Sequence, residues 1–265
     1  MKIGCCANML ATGGDAVGMR YISRIKELGY DYVELPLAQV MELDDNAAAR
    51  LERILLENDM RCECFNNFFP PYIRLTGPYV SAAQIERYID QSLRKAERFS
   101  AKIVVFGSSG ARNIPPGYKR SEAFEQAAET LRAVARRAGE MGITIAIECL
   151  NRVESNFINN LGEGFELMEA VNVPQVKLLV DYFHFAHENE TLAALEQHID
   201  DIVHVHIAHA HARLIPEGDG DCARFIQKLR QLGYDSRISL EAAYIYPEPE
   251  LEEGLRWLRR RINIE

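Results

Sequence analysis

The chain has 265 residues, of which 48% are apolar and 26% charged, so it can bury a large core, and intrinsic disorder is excluded. The 39 acidic side chains outnumber the 30 basic ones, and the net charge of -9 argues against nucleic acid as a partner. No apolar run approaches the roughly eighteen residues of a membrane span. The first residues are typical of a strand rather than of a signal peptide, so we expect a cytoplasmic protein.

Short runs rich in β-branched residues alternate with longer amphipathic stretches along the whole chain. Eight runs are predicted strands, in chain order KIGCCA, YDYVELP, MRCECFN, AKIVVFG, ITIAIEC, VKLLVDY, IVHVHIA and RISLEAA. Between them, stretches such as 81–100 and 121–139 carry apolar residues three or four positions apart, as surface helices do. Several predicted helices end at a glycine or asparagine expected to be left-handed, in LGYDY at Leu28, NDMRC at Asn58, MGITI at Met141 and LGYDSRI at Leu232.

Eight strand–helix units of about 33 residues each predict a closed (β/α)₈ barrel, a TIM barrel, as a single domain over residues 1–265. An open doubly wound sheet is the alternative, but it needs a GxGxxG fingerprint that CCANMLATGGD does not supply. The six cysteines form no CxxC pair, and several lie in predicted strands. We expect reduced core thiols there, without a disulfide or zinc role.

Catalytic groups of a TIM barrel come from the carboxyl ends of its strands. The alternation of side chains along the last four strands directs one polar residue of each inward at the rim, namely Glu148, Asp181, His206 and Glu241. A single carboxylate at a strand end is more often a helix cap or a solvated loop residue, but three carboxylates and a histidine at one rim favour a metal centre. Three carboxylates and one imidazole suit one divalent ion per chain, Mn²⁺ first, with Mg²⁺ or Co²⁺ as alternatives. Without a cation, like-charge repulsion should raise the pKa of at least one of these carboxylates.

The other histidines carry less information. His204 lies one layer deeper on the same strand as His206, and we expect a hydrogen-bonded interior residue. His187, His209 and His211 fall on or near loops, and the sequence assigns them no role.

The motifs IECLNR at Ile147, DYFHF at Asp181, HVHIA at His204 and SLEA at Ser239 resemble the sugar isomerase and epimerase family of xylose-isomerase-like barrels, most closely its ketose 3-epimerase branch. The resemblance implies the same four metal ligands, with two of them, Glu148 and Glu241, as the acid–base pair. It also implies that the substrate's hydroxyls and carbonyl contact Glu154, His184 and Arg213.

The chain departs from that family in two places. Cys149 and Ala242 follow the two catalytic glutamates, where those epimerases have proline. Arg213 follows the metal histidine by seven positions instead of six, although RLIPEGDG resembles the longer loop of related barrels. These departures affect the expected substrate and leave the metal site intact.

The predicted chemistry is removal and return of a proton beside a sugar carbonyl, through an ene-diolate that the metal stabilises. Return to the same carbon gives an epimer, and return to the former carbonyl carbon gives an aldose–ketose isomer. We expect a ketose 3-epimerase, with an aldose–ketose isomerase, including the hydroxypyruvate isomerase type, as the alternative.

Two further alternatives have less support. An abasic-site endonuclease needs histidines at the ends of strands three and four, where 65–67 read FNN and 106–108 read FGS. A non-enzymatic sugar-binding barrel has no accompanying signalling domain to use its signal. We expect a free sugar, because PEGDGD at Pro216 is the only glycine-rich loop predicted near the mouth and its three acidic residues would repel a phosphate. We also expect a homo-oligomer, either a dimer or a tetramer.

Overall fold

The structure is a computed structural model that describes residues 1–262. Its eight strands are all parallel and pair in chain order into a closed barrel, with β8 returning to β1. The strands are β1 Lys2–Cys6, β2 Tyr32–Pro36, β3 Cys62–Asn66, β4 Ile103–Phe106, β5 Thr144–Glu148, β6 Val176–Asp181, β7 Ile202–Ile207 and β8 Arg237–Leu240. Each falls within a predicted run, and the expected TIM barrel is confirmed.

Helices surround the barrel, with at least one after every strand. They are α1 Ile22–Leu28, α2 Leu37–Met41, α3 Asp45–Glu57, α4 Ala82–Arg98, α5 Ser109–Arg112, α6 Arg120–Glu140, α7 Leu161–Val171, α8 Tyr182–His187, α9 Leu192–His198, α10 Asp221–Gln231 and α11 Pro247–Ile262. The short helices α2, α5 and α8 begin within three residues of the ends of β2, β4 and β6 and were not predicted. Each is followed by a second helix, α3, α6 or α9, before the next strand begins. Among residues 1–262, no helix is long and apolar enough to cross a membrane.

The core has two layers, separated by the barrel wall. Ile145 and Ile147 of β5 point outward and pack under the helices, as the alternation predicts. The barrel interior is filled by a smaller apolar group that includes Tyr32, Cys64 and Leu179. Because inward positions near the carboxyl ends lie above this plug, polar side chains there surround an open mouth. All six cysteines are buried, unpaired thiols, as expected.

The helix ends follow local chemistry. Ser81 caps α4 by accepting a hydrogen bond from the backbone N–H of Gln84 at 3.4 Å. Gly29 ends α1 in the left-handed conformation, with φ of 96°, as predicted. At the end of α3 the prediction is wrong by one residue, because Asn58 has φ of -95° and Asp59, with φ of 45°, makes the left-handed turn. Both residue types tolerate that conformation, so the sequence alone did not distinguish them.

Candidate metal centre and active site

The barrel brings the four predicted ligands together at its carboxyl-terminal mouth. Glu148 and Asp181 are the last residues of β5 and β6, His206 is the penultimate residue of β7, and Glu241 follows β8 directly. Asp181 lies opposite His206 in the β6–β7 ladder. One ligand atom from each of the four side chains lies within 4.8 Å of the others, and all four residues are buried. The sequence therefore predicted which side chains meet.

The imidazole of His206 lies between the two glutamates. Its Nδ1 is 3.4 Å from Oε1 of Glu148 and 3.3 Å from Oε2 of Glu241. Asp181 has two functions, since its Oδ1 caps α8 by accepting from the N–H of Phe183 at 2.8 Å. The side chain of Asp181 therefore caps the helix through Oδ1 and faces the cluster through Oδ2.

The electrostatics of the cluster are those of crowded carboxylates. Burial, and next the negative charge of Glu241, raise the pKa of Asp181 to about 8. Burial also opposes ionisation of Glu241, but the charges of His206 and Arg213 hold its pKa well below the usual range. The predicted rise in the pKa of at least one carboxylate thus falls on Asp181, but burial is its main cause and the predicted like-charge repulsion comes second.

These residues fit a divalent cation. Within the described part of the chain, Oδ2 of Asp181 and Nδ1 of His206 are buried without a hydrogen-bond partner. Buried polar atoms in proteins are otherwise almost always paired. Carboxylate oxygens with one imidazole nitrogen form a donor set suited to hard or borderline divalent ions.

The three predicted substrate contacts also lie at the mouth. Nη2 of Arg213 is 2.7 Å from Oε2 of Glu241, and Nη1 is 3.2 Å from Oε1 of Glu154. The guanidinium also lies over the ring of Phe183, 4.9 Å from its centroid. Arg213 itself has φ of 50°, in the left-handed region, so the backbone turn aims its side chain back over the cluster.

His184 is held in one protonation state and one orientation. Burial lowers its pKa to about 4, so the ring is neutral near pH 7. Its Nδ1 accepts from the backbone N–H of Asn151 at 3.2 Å and lies 2.8 Å from that residue's Nδ2. The ring proton is therefore on Nε2, which lies 3.6 Å from Oδ2 of Asp181. His184 can donate a hydrogen bond at the mouth.

A cavity of about 560 Å³ opens above the cluster. Its lining combines Glu148, Glu241 and the three predicted substrate contacts with outer residues that include Met9 and Tyr72. The PEGDGD loop is not part of this lining. It lines a separate groove against α11, where the carbonyl oxygen of Gly218 accepts from Nε1 of Trp257 at 3.0 Å. The prediction that this loop acts at the mouth is wrong, because its contacts direct it to the outer helix layer.

Sequence reasoning missed three residues that support the cluster. Glu34 of β2 is fully buried, and its carboxylate reaches both His204 and His206. Arg112 is also fully buried and donates to the carbonyl oxygens of Phe106 at 2.9 Å and Glu148 at 2.8 Å. At Gly107, an added Cβ would lie only 2.1 Å from Oε2 of Glu148. For Glu34, the alternation of side chains along β2 already indicated that its carboxylate points into the barrel. No such indication exists in the sequence for the other two residues.

The loop histidines form no such cluster. His187, His209 and His211 are exposed, and His211 has its ring centroid 6.3 Å from that of His187 and 6.0 Å from that of His209. Within residues 1–262 the three do not bring ligand atoms within reach of one ion. They remain without an assigned role.

The sequence profile of xylose isomerase-like TIM barrels matches residues 22–261. The chain belongs to this family. The ketose 3-epimerase of Arthrobacter globiformis is 25% identical over 247 residues, which cover 91% of this chain and 83% of that protein. The 3-dehydro-D-guloside 4-epimerase of Escherichia coli strain K12 is 24% identical over 89% of this chain and 91% of its own length.

Solved structures agree on the fold. A D-allulose 3-epimerase structure from Methylomonas sp. superposes with a TM-score of 0.85 at 21% identity, covering 98% of this chain and 97% of that one. The resemblance drawn from the motifs is therefore confirmed for this xylose isomerase-like barrel. The epimerase names of the curated relatives confirm that it is an enzyme of the isomerase class.

Proposed function

We propose that this protein is a metal-dependent sugar epimerase of the ketose 3-epimerase type. The observation that carries the proposal is the pair of buried glutamates, Glu148 and Glu241, on either side of His206 beneath an open cavity. The ketose 3-epimerase relative, which aligns over most of this chain, supports the same activity.

In this proposal, Glu148, Asp181, His206 and Glu241 hold one divalent cation per chain, Mn²⁺ in the first instance and Mg²⁺ or Co²⁺ as alternatives. When bound, the cation supplies positive charge that stabilises the ene-diolate oxygens of the substrate. The supporting observation is that Oδ2 of Asp181 and Nδ1 of His206, within the described chain, are buried and have no hydrogen-bond partner.

Glu148 and Glu241 are the proposed acid–base pair. Their side chains are buried to similar degrees and come from strands separated by β6 and β7, so they approach the cavity from different directions. One carboxylate removes the proton beside the substrate carbonyl, and the other returns a proton to the same carbon. His184 donates from Nε2 to a substrate oxygen, while Arg213 and Glu154 orient the hydroxyls.

The sugar is proposed to be free rather than phosphorylated. The mouth is lined by Glu42, Glu148, Glu154 and Glu241, and its one guanidinium, Arg213, is already paired with two of these carboxylates. A phosphate would be repelled by this surface.

Solvent deuterium labelling tests the proposal. The protein with added Mn²⁺ is incubated in deuterated water with a panel of free ketoses, and the products are examined by proton NMR. We expect an epimer that carries deuterium at C3. Label at C1 or C2 would instead assign an aldose–ketose isomerase, and product without label would indicate a hydride shift. A panel without turnover or exchange would favour a non-enzymatic sugar-binding barrel.

A second candidate is 4-epimerisation of a 3-keto glycoside, by analogy with the guloside epimerase relative. The volume of the mouth favours it, since about 560 Å³ exceeds the roughly 200 Å³ of one hexose at organic-crystal packing density. Tyr72 at the outer rim is 62% exposed and available to stack on a second group. Including such glycosides in the deuterium panel separates the two, because this reaction places the label at C4.

A cytoplasmic location and a dimeric or tetrameric assembly remain predictions. Cell fractionation tests the first, and light scattering of the purified chain tests the second. A monomer in solution would contradict the expected homo-oligomer.

A further inference from the structure

A polar network lies inside the barrel directly below the proposed metal centre. Oε1 of Glu34 is 2.9 Å from Nε2 of His206, and Oε2 is 2.8 Å from Nε2 of His204. Ser239 donates its hydroxyl to Oε2 of Glu34 at 2.7 Å, and its Oγ lies 2.9 Å from the hydroxyl of Tyr32. All five side chains are fully buried. A buried carboxylate in this layer destabilises the fold unless its oxygens accept hydrogen bonds.

The contact with Glu34 specifies which nitrogen of His206 carries a proton. A carboxylate only accepts hydrogen bonds, so Nε2 of His206 must donate to it. When the ring gives up its other proton to bind a cation, the lone pair is therefore on Nδ1, the nitrogen that faces Glu148 and Glu241. Cys6 also approaches Nε2, but its Sγ is 4.0 Å away and holds the ring less firmly.

We infer that Glu34 is a positioning residue that fixes His206 in the orientation and tautomer able to bind a cation through Nδ1. The inference rests on the proposed metal centre and concerns a residue outside its ligand set. Hydrogen bonds to the distal nitrogen of a ligating histidine typically change metal affinity by about 10- to 100-fold. Glu34 should therefore control the affinity of the centre without touching the ion.

Two substitutions of Glu34 test this role. Glu34→Leu removes both acceptors and should weaken Mn²⁺ binding at least about tenfold. Glu34→Gln should keep affinity within about tenfold of wild type, because the amide oxygen can accept from His206 while the NH₂ group faces His204. The proton of His204 can move to Nδ1, which lies 3.3 Å from the carbonyl oxygen of Arg237.

Glu63→Gln is the matched control. Glu63 is a buried carboxylate on the neighbouring strand β3, but it pairs with Lys2 and Arg237 at the opposite end of the barrel. Its variant should bind Mn²⁺ as the wild type does. Calorimetric titration of each metal-free protein with Mn²⁺ gives Kd, and circular dichroism with thermal unfolding verifies the fold.

The outcomes separate this inference from the proposed function. Wild-type protein without Mn²⁺ affinity would refute the metal centre itself. Wild-type binding that Glu34→Leu leaves unchanged, or that Glu63→Gln weakens equally, would overturn the role of Glu34. If Glu34→Leu does not fold, Glu34→Asp replaces it, since the shorter side chain draws the carboxylate away from both histidines. Unchanged affinity in that variant would also overturn the inference.

Discussion

The close approach of Gly107 to Glu148 gives a sharp test of how the active site is positioned. Gly107 directly follows β4, the strand beside β5, and Glu148 is the last residue of β5. In Gly107→Ala the new Cβ would lie 2.1 Å from Oε2 of Glu148, whereas ordinary contact begins near 3.4 Å. The carboxylate must therefore move by about 1.3 Å. The backbone of Glu148 cannot follow, because Arg112 holds its carbonyl oxygen at 2.8 Å.

A displacement of this size should strongly lower the catalytic rate but hardly change the free energy of unfolding. A misplacement of about 1 Å can cost about 100-fold in rate, and here it affects a group proposed both to ligate and to transfer protons. The clashing atom is the end of a flexible side chain, so the fold can absorb it by rotating Glu148. We expect turnover to fall about 100-fold and Mn²⁺ affinity to weaken, while the free energy of unfolding changes by less than about 1 kcal/mol.

Three measurements on the purified variant check this expectation. They are turnover of the best ketose, Kd for Mn²⁺ by calorimetry, and the free energy of unfolding in urea. Gly13→Ala is the control, since a Cβ at Gly13 meets no atom within 4 Å. Turnover and Mn²⁺ affinity that both stay within about twofold of wild type in Gly107→Ala would show that this close approach does not position Glu148.

Three further predictions address the same site and its surroundings. Asp181→Ala should abolish metal retention, and equal metal content in variant and wild type would contradict the ligand set. Glu148→Gln and Glu241→Gln should each lower turnover at least about 100-fold, with metal content measured beside the rate to separate the two roles. Burial raises the pKa of Glu190 from 4.5 to about 7, so its stabilising contribution is full below pH 4.5 and is lost as the pH rises through 7. Glu190→Gln should flatten the urea-derived pH profile of stability by about 1–2 kcal/mol, after allowance for its partial exposure; an unchanged profile would contradict the shift.

The fold and the meeting of the four polar side chains were predictable because both depend on local patterns. The alternation of side chains along a strand indicates which residues point inward. Helix ends are indicated by a glycine or asparagine just after the last turn. Once eight such units are counted, closure of the barrel fixes which strand ends are neighbours. The assembly of Glu148, Asp181, His206 and Glu241 within 4.8 Å follows from that geometry.

The supporting residues were not predictable, because their partners are distant in sequence. Glu34 meets His204 across 170 positions, and no local pattern links a glutamate in one apolar strand to a histidine in another. Arg112, in the run SSGARN, is typical of a solvated loop, yet it is fully buried among backbone carbonyls. The absence of a Cβ at Gly107 leaves room for the carboxylate of Glu148, and the sequence does not show that these two residues are neighbours.

The HVH motif of β7 contains one histidine of the predicted cluster, His206, and one that contacts the unpredicted residue Glu34, His204. Because the side chains of a strand alternate, His204 and His206 both point into the barrel, one layer apart, and their ring centroids are 4.8 Å apart. The upper ring faces the mouth through Nδ1 and the carboxylate of Glu34 through Nε2. The lower ring binds the other oxygen of the same carboxylate and so keeps Glu34 from rotating away. In the proposed metal centre, a second histidine that does not reach the cation would thus still stabilise the geometry of the first.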